Sequence, residues 1–124
     1  MSVQANDAIV VLMTAANGEE AARLADMLVS AHLAACVQIL PEVESIYRWQ
    51  GKIERQSEIL LIAKTTMAKF ADLEREVRIL HSYETPEIVA IPLLAGSTPY
   101  LKWLSASLDS QDDRQTTEQS SSTG

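Results

Sequence analysis

Cysteine, histidine and glycine are scarce in this sequence of 124 residues, which has one Cys, two His and four Gly. Because Cys36 is alone, no intramolecular disulfide can form, and a zinc site of several cysteines is excluded. No apolar run reaches the roughly eighteen residues that a membrane-spanning helix needs. No basic segment precedes the first apolar run, as it would in a secretory signal. We therefore expect a cytoplasmic protein with no membrane partner.

Basic residues are also few: 10 Lys and Arg stand against 17 Asp and Glu, and the formal net charge is −7. A nucleic-acid partner requires a basic face for its phosphates, so this composition argues against one. The C-terminal residues 109–124 contain no aliphatic side chain and are expected to form a disordered polar tail. Residues 1–108 are predicted to form one domain around one core.

The first half of the chain predicts a strand, a helix and a hairpin. The continuous apolar run at 8–16 is typical of a central strand. A helix then begins after Asn17 as N-cap, with Glu20 three residues later. Two strand-like segments, 34–49 and 52–65, are separated by a two-residue turn that contains glycine. They predict a hairpin of unusual length.

The second half predicts a helix, a strand and a further helix. Apolar residues at helical spacing within 65–83 predict a second helix that ends near His81. A last strand follows at 87–94. A short C-terminal helix is expected to have Thr98 as its cap and Pro99 at its first position.

The order of these elements, β-α-β-β-α-β with one extra helix, predicts an α+β fold of the ferredoxin-like type. In that arrangement an antiparallel sheet has its first and third strands in the centre, its second and fourth at the edges, and two helices on one face. Pro41 and Pro92 both fall in the predicted edge strands. Proline has no backbone donor and is tolerated there, so these two residues support the fold prediction.

The hairpin is too long for the rest of one chain to cover. Strands of about fifteen residues reach about 50 Å, and helices of similar length cover about half of that. Its tip mixes Ile46, Tyr47, Trp49 and Ile53 with charged residues, as interfaces do. The length of the hairpin therefore predicts that another copy of the chain packs on it.

Five motifs in this order and spacing resemble the CutA family of divalent-cation tolerance proteins. They are LAACVQI, SIYRWQGKIE, SEILLIAKT, HSYETPEIV and YLKWL, and the resemblance runs from about residue 8 to about residue 108. It implies a homotrimer similar in build to PII-type signalling proteins, with long hairpins reaching neighbouring subunits. It also implies a role in tolerance to copper and other divalent ions, with copper binding in some members.

The resemblance further suggests a metal site. Bacterial members with a proposed copper site use a cysteine near the end of the first strand and two adjacent histidines at the end of the second helix. The matching positions here are Met13, Leu80 and His81. We therefore consider His81, Met13 and Cys36 as metal ligands, because imidazole and sulfur suit copper. The alternatives are a histidine that interacts with the end of the helix and two sulfur residues that pack in the core.

Other candidates concern a ligand or a subunit interface. Glu84 and Glu87 flank Thr-Pro, and Lys64 ends an apolar strand where its charge requires a partner such as Glu87 or an anion. The rings of Tyr47 and Trp49 suit subunit contacts or a small-molecule pocket. For Lys64 and Glu87 an interface bond and a ligand contact are equally expected, whereas for Tyr47 and Trp49 a subunit contact is preferred.

We found no phosphate loop, no nucleophile elbow and no metalloprotease motif, so we do not expect an enzyme. The first hypothesis is a trimeric binding module that takes copper, another divalent ion or a small ligand between subunits, without an obligatory cofactor. The second is a structural trimer that docks a protein partner and acts on metal tolerance indirectly.

Overall fold

A computed structural model describes residues 2–109, so the predicted tail lies outside the described residues except for Asp109. The chain forms β1 (Ala8–Ala15), α1 (Gly18–Ser30), β2 (Cys36–Trp49), β3 (Lys52–Thr66), α2 (Phe70–Leu80), β4 (Ile88–Pro92) and α3 (Thr98–Ser107). The sequence predicted each of these elements to within a few residues. In this part of the chain no helix is long and apolar enough to cross a membrane.

The four strands form one antiparallel sheet in the order β2-β3-β1-β4. The predicted central position of the first and third strands is therefore confirmed, and so are the edge positions of the other two. Pro41 lies at a bulge between Leu40 and Val43, and Pro92 is the last residue of β4. Both prolines thus stand where no ladder hydrogen bond is lost.

One face of the sheet is covered by α1 and α2. Side chains alternate along β1, and its inward residues Val11 and Met13 are fully buried. They share one core with Leu24 and Leu28 of α1 and with Leu73 of α2, among others. The helix α1 begins as predicted, because the side chain of Asn17 accepts a hydrogen bond from the backbone N–H of Glu20.

The opposite side of the sheet is only partly covered. At one end α3 packs Leu104 and Leu108 against Ala8 and Ala35. The cap prediction for this helix was wrong by one residue: Ser97 is the N-cap, because its carbonyl already accepts from the N–H of Leu101. Thr98 is therefore the first helical residue.

Beyond α3, apolar side chains of all four strands lie on this side without a covering element. Strand pairing places Leu12 opposite both Ile62 and Val89, and Val10 opposite Ile91. We call this surface the open face and define it by Leu12, Leu40, Ile62, Val89 and Ile91. Val89 and Ile91 are about half exposed. A single chain therefore leaves part of the sheet in contact with water.

The hairpin of β2 and β3 has strands of 14 and 15 residues and extends beyond the core. Its turn residues Gln50 and Gly51 both have positive φ angles, of 48° and 81°, as a type I′ turn requires. Trp49 and Ile53 beside the turn are 57% and 60% exposed. The predicted contact with another copy stays a prediction, and these side chains are available for it.

We predict that Gly51→Ala lowers the free energy of unfolding by about 1 kcal/mol, because a Cβ is disfavoured at a positive φ angle. Apart from the adjoining residues, no atom lies within 4 Å of the position where this Cβ would be, so the effect isolates the backbone. Urea denaturation at fixed protein concentration measures it. Gly18→Ala is the control, since that residue opens α1 with equal space around it and no positive φ. Equal midpoints for the two variants would contradict the turn assignment.

Candidate functional site

The buried carboxylate of Glu20 joins the end of β1, the start of α1 and the segment after α2. Its Oε1 accepts a hydrogen bond from the backbone N–H of Ala16 at 2.9 Å, and its Oε2 accepts one from the N–H of Ser82 at 2.7 Å. The position in the first turn of α1 also favours a negative charge. Glu20 therefore fixes residues near Ser82 against the start of α1.

Both ring nitrogens of His81 are engaged in hydrogen bonds. Nε2 lies 2.7 Å from the carbonyl oxygen of Thr14, and Nδ1 lies 3.0 Å from the backbone nitrogen of Tyr83. A carbonyl only accepts and a backbone N–H only donates. These two contacts assign the donor role to Nε2 and the acceptor role to Nδ1, which also lies 3.9 Å from Oε2 of Glu20.

The structure does not bring the three predicted metal ligands together. The lone pair of His81 is used by the N–H of Tyr83, and Met13 is fully buried on the helix side of the sheet. Cys36 lies opposite Lys64 in the pairing of β2 with β3, on the other side of the sheet. Its Sγ lies 3.7 Å from the hydroxyl of Tyr100. Across residues 2–109, no three or more His, Cys, Asp or Glu side chains are grouped to hold a metal ion.

A chain of hydrogen bonds links the segment after α2 to the hairpin. The hydroxyl of Tyr83 donates to Oε2 of Glu58 at 2.8 Å and accepts from Nε2 of Gln56 at 3.0 Å. The hydroxyl of Tyr47 donates to Oε1 of Gln56 at 2.8 Å. Burial, followed by the hydrogen bond and charge of Glu58, raises the pKa of Tyr83. Tyr83 thus remains a donor toward the carboxylate.

These residues border a cleft of about 620 Å³ between the outer half of the hairpin and residues 83–87. We call it the hairpin cleft. Its lining consists of Thr14, Ser45, Ile46, Tyr47, Trp49, Gln56, Glu58, Tyr83, Glu84, Thr85 and Glu87. Three of these side chains are carboxylates and none is basic, so the cleft presents a negative potential.

Lys64 does not pair with Glu87 within the chain. Its ammonium lies over the ring of Tyr100, 5.6 Å from the ring centroid. Burial, followed by the hydrogen bond with Cys36, raises the pKa of Tyr100 to about 12. The predicted contact between Lys64 and Glu87 is therefore not made inside one protomer. A contact between subunits stays a prediction.

Four predicted site residues, Tyr47, Trp49, Glu84 and Glu87, do lie together in the hairpin cleft. Sequence reasoning missed the residues that organise it: Glu20, Gln56, Glu58 and Tyr83. A signal for the first was present, because Glu20 stands four residues before Leu24 on the apolar stripe of α1. For the other three, nothing in the local sequence indicated which segments meet.

We predict that Glu20→Gln lowers the free energy of unfolding by about 2 kcal/mol, because its amide would direct a donor at one backbone N–H. Burial raises the pKa of Glu20, but the hydrogen bonds donated by Ala16 and Ser82 lower it by more. The net pKa is therefore below the ordinary value of 4.5. The ionised carboxylate therefore stabilises the fold fully above that value. This contribution is lost as the pH falls through the lower pKa of the folded state.

Urea denaturation of wild type and Glu20→Gln across the acid range measures both effects. We expect the two unfolding free energies to converge as the pH falls below 4.5 and through the lower pKa of the folded state. The matched control is Glu19→Gln, which alters an exposed carboxylate in the same turn of α1. A pH-independent difference between wild type and Glu20→Gln would show that charge on Glu20 is not what stabilises the junction.

Comparison with known proteins finds relatives over almost the whole predicted domain. A family model described as CutA1 divalent ion tolerance protein matches residues 9–107. The divalent-cation tolerance protein CutA of Thermus thermophilus is 48% identical over 95 residues, which are 77% of this chain and 92% of that protein. Human protein CutA is 40% identical over 101 residues, 82% of this chain and 56% of the human protein. This chain thus spans about half the length of the human relative.

Solved structures of CutA proteins have the same fold as this chain. CutA1 of Oryza sativa superposes with a TM-score of 0.81 at 41% identity, covering 84% of this chain and 95% of the other. A structure from Archaeoglobus fulgidus, named a periplasmic divalent cation tolerance protein, gives 0.80 at 40% identity, covering 82% and 99%. Because that relative is named periplasmic, cytoplasmic location stays a prediction. The matched sequence, strand order and structural neighbours together place this chain in the CutA1 family of divalent ion tolerance proteins.

Proposed function

We propose that this protein acts in divalent-cation tolerance as a homotrimeric binding module, similar in build to PII-type proteins, that takes a positively charged ligand in the hairpin cleft. The family supplies the general role. The carboxylates that line the cleft indicate that the ligand is positively charged. A binding role is preferred to an enzymatic one, because neither a histidine nor a cysteine is among the described residues that line this cleft.

The observation that carries the proposal is the state of Glu58. The residue is only 7% exposed, yet among residues 2–109 its carboxylate has one hydrogen bond, from Tyr83, and no basic partner. A carboxylate can accept several hydrogen bonds, and a buried charge is costly unless a cation compensates it. Glu58 therefore offers a positively charged ligand an acceptor in the cleft.

The position of the cleft supports a site between subunits. Alternation along β3 places Gln56 and Glu58 on the same side of the sheet as Ile62 of the open face. A second copy that covers the open face would therefore also border the cleft. In such an assembly, ligand binding and subunit contact would be coupled.

Divalent metal ions are the first ligands to test. The side chains in the cleft offer oxygen atoms, which bind many divalent ions. Copper prefers nitrogen and sulfur donors, and those of His81, Met13 and Cys36 are dispersed. We therefore expect weaker selectivity for copper than a histidine and cysteine site would give.

We expect calorimetric titration of the assembled protein with zinc, and separately with copper, to show saturable binding at one site per protomer. Glu58→Gln should weaken binding about tenfold or more, because it removes the buried charge while its amide oxygen can still accept from Tyr83. Glu44→Gln is the control, since that carboxylate lies on the same hairpin and pairs with exposed Arg55. An unchanged affinity in Glu58→Gln would exclude the cleft as the metal site.

The second candidate function is a structural trimer that docks a protein partner and acts on metal tolerance indirectly. It is favoured by the exposed apolar residues near the hairpin tip, among them Trp49 and Ile53. A partner captured equally by wild type and Glu58→Gln in the presence of a chelator would support it. Loss of capture together with loss of cation binding would support the binding module.

A substitution on the open face tests whether the chain self-associates through it. We predict that Val89→Glu converts the assembly to smaller species, because it buries a charge at the contact between sheets. Ile79→Glu, on the outer surface of α2 and 68% exposed, should leave assembly unchanged. Sedimentation velocity at several protein concentrations measures both. The same mass for both variants would exclude the open face as the interface.

A further inference from the structure

The hairpin cleft combines carboxylates with aromatic rings. Tyr47, Trp49 and Tyr83 line it together with the three glutamates. The face of an aromatic ring carries partial negative charge and attracts cations, most strongly where water is excluded. Rings add little to the binding of a small hydrated metal ion, but they bind the diffuse charge of alkylammonium groups well.

The size of the cleft also favours an organic ligand. Its volume of about 620 Å³ falls within the range of roughly 300–1,000 Å³ that is typical of small-molecule pockets. In the described part of the chain, no three acidic, histidine or cysteine side chains converge, so the cleft offers a metal ion fewer protein ligands than a dedicated metal site does. An ammonium group needs less, since one carboxylate and one or two ring faces are sufficient.

One ring and one carboxylate of the cleft are held in place by the same contacts. The ring of Tyr83 packs against that of His81, with centroids 4.7 Å apart and planes at 50°. Its hydroxyl donates to Glu58 at 2.8 Å. Because His81 is itself fixed by Thr14, little ordering of Tyr83 and Glu58 is required when a ligand binds.

From this combination we infer that the hairpin cleft recognises an organic ammonium group, as carried by small aliphatic amines. The ammonium lies against Glu58 and the aromatic rings that line the cleft. This inference rests on the proposed function, since it names the ligand class of the same cleft. It differs in what it demands of Trp49, whose ring contributes to ammonium binding and not to metal coordination.

The experiment is a calorimetric titration of the full, assembled chain with butylammonium chloride, with 1-butanol as the uncharged analogue and zinc as the metal. We expect saturable binding of butylammonium and none of 1-butanol. Trp49→Leu keeps apolar bulk but removes the ring, and should weaken butylammonium binding about fivefold while zinc binding is unchanged. Trp103→Leu is the matched control, because Trp103 lies on α3 and does not line the cleft.

Circular dichroism and sedimentation velocity confirm that the tryptophan variants are folded and assembled before titration. Zinc binding without butylammonium binding would overturn the inference and leave the proposed function standing, whereas binding of neither would overturn both. Equal weakening of zinc and butylammonium by Trp49→Leu would also overturn it. So would butylammonium binding by Val89→Glu but not by wild type, because a neighbouring copy would then already fill the cleft.

Discussion

The rest of the structure depends on one buried carboxylate that satisfies backbone donors from two distant parts of the chain. Glu20 accepts from Ala16, just before α1, and from Ser82, just after α2. A buried charge is tolerated only where it is bonded in this way, so both segments must be present at once. The contact therefore determines where the chain emerges from α2. It thereby sets where the segment from His81 to Glu87 begins.

A second set of contacts links the segment after α2 to the hairpin. His81 orders the backbone of Tyr83, and the hydroxyl of Tyr83 binds Glu58. The wall of the cleft is thus held by hydrogen bonds, whereas the main apolar core lies on the other side of the sheet. This division leaves a rigid core on one side and a polar cleft beside an uncovered apolar surface on the other. Such a chain is suited to assembly with its own copies around a shared site.

The elements of the fold could be predicted because their signals are local. The apolar stripe of α1, its Asn17 cap and the turn at Gly51 are decided by neighbouring residues. Strand order followed from topology, with Pro41 and Pro92 as a check. The misplaced cap of α3 shows the limit of this reasoning. Adjacent Ser and Thr are both good caps, and only the first backbone hydrogen bond distinguishes them.

The sequence by itself determined the order of strands and helices, the length of the hairpin and the family. It also named Tyr47, Trp49, Glu84 and Glu87 as candidates for a ligand or an interface, but only the structure brought these four into one cleft. Only the tertiary structure showed that His81 uses both ring nitrogens within the chain and that the cleft is acidic. The reason is physical: periodicity and capping act over a few residues, whereas hydrogen bonds such as that of Tyr83 with Glu58 join residues 25 positions apart. Those contacts exist only once the sheet has formed.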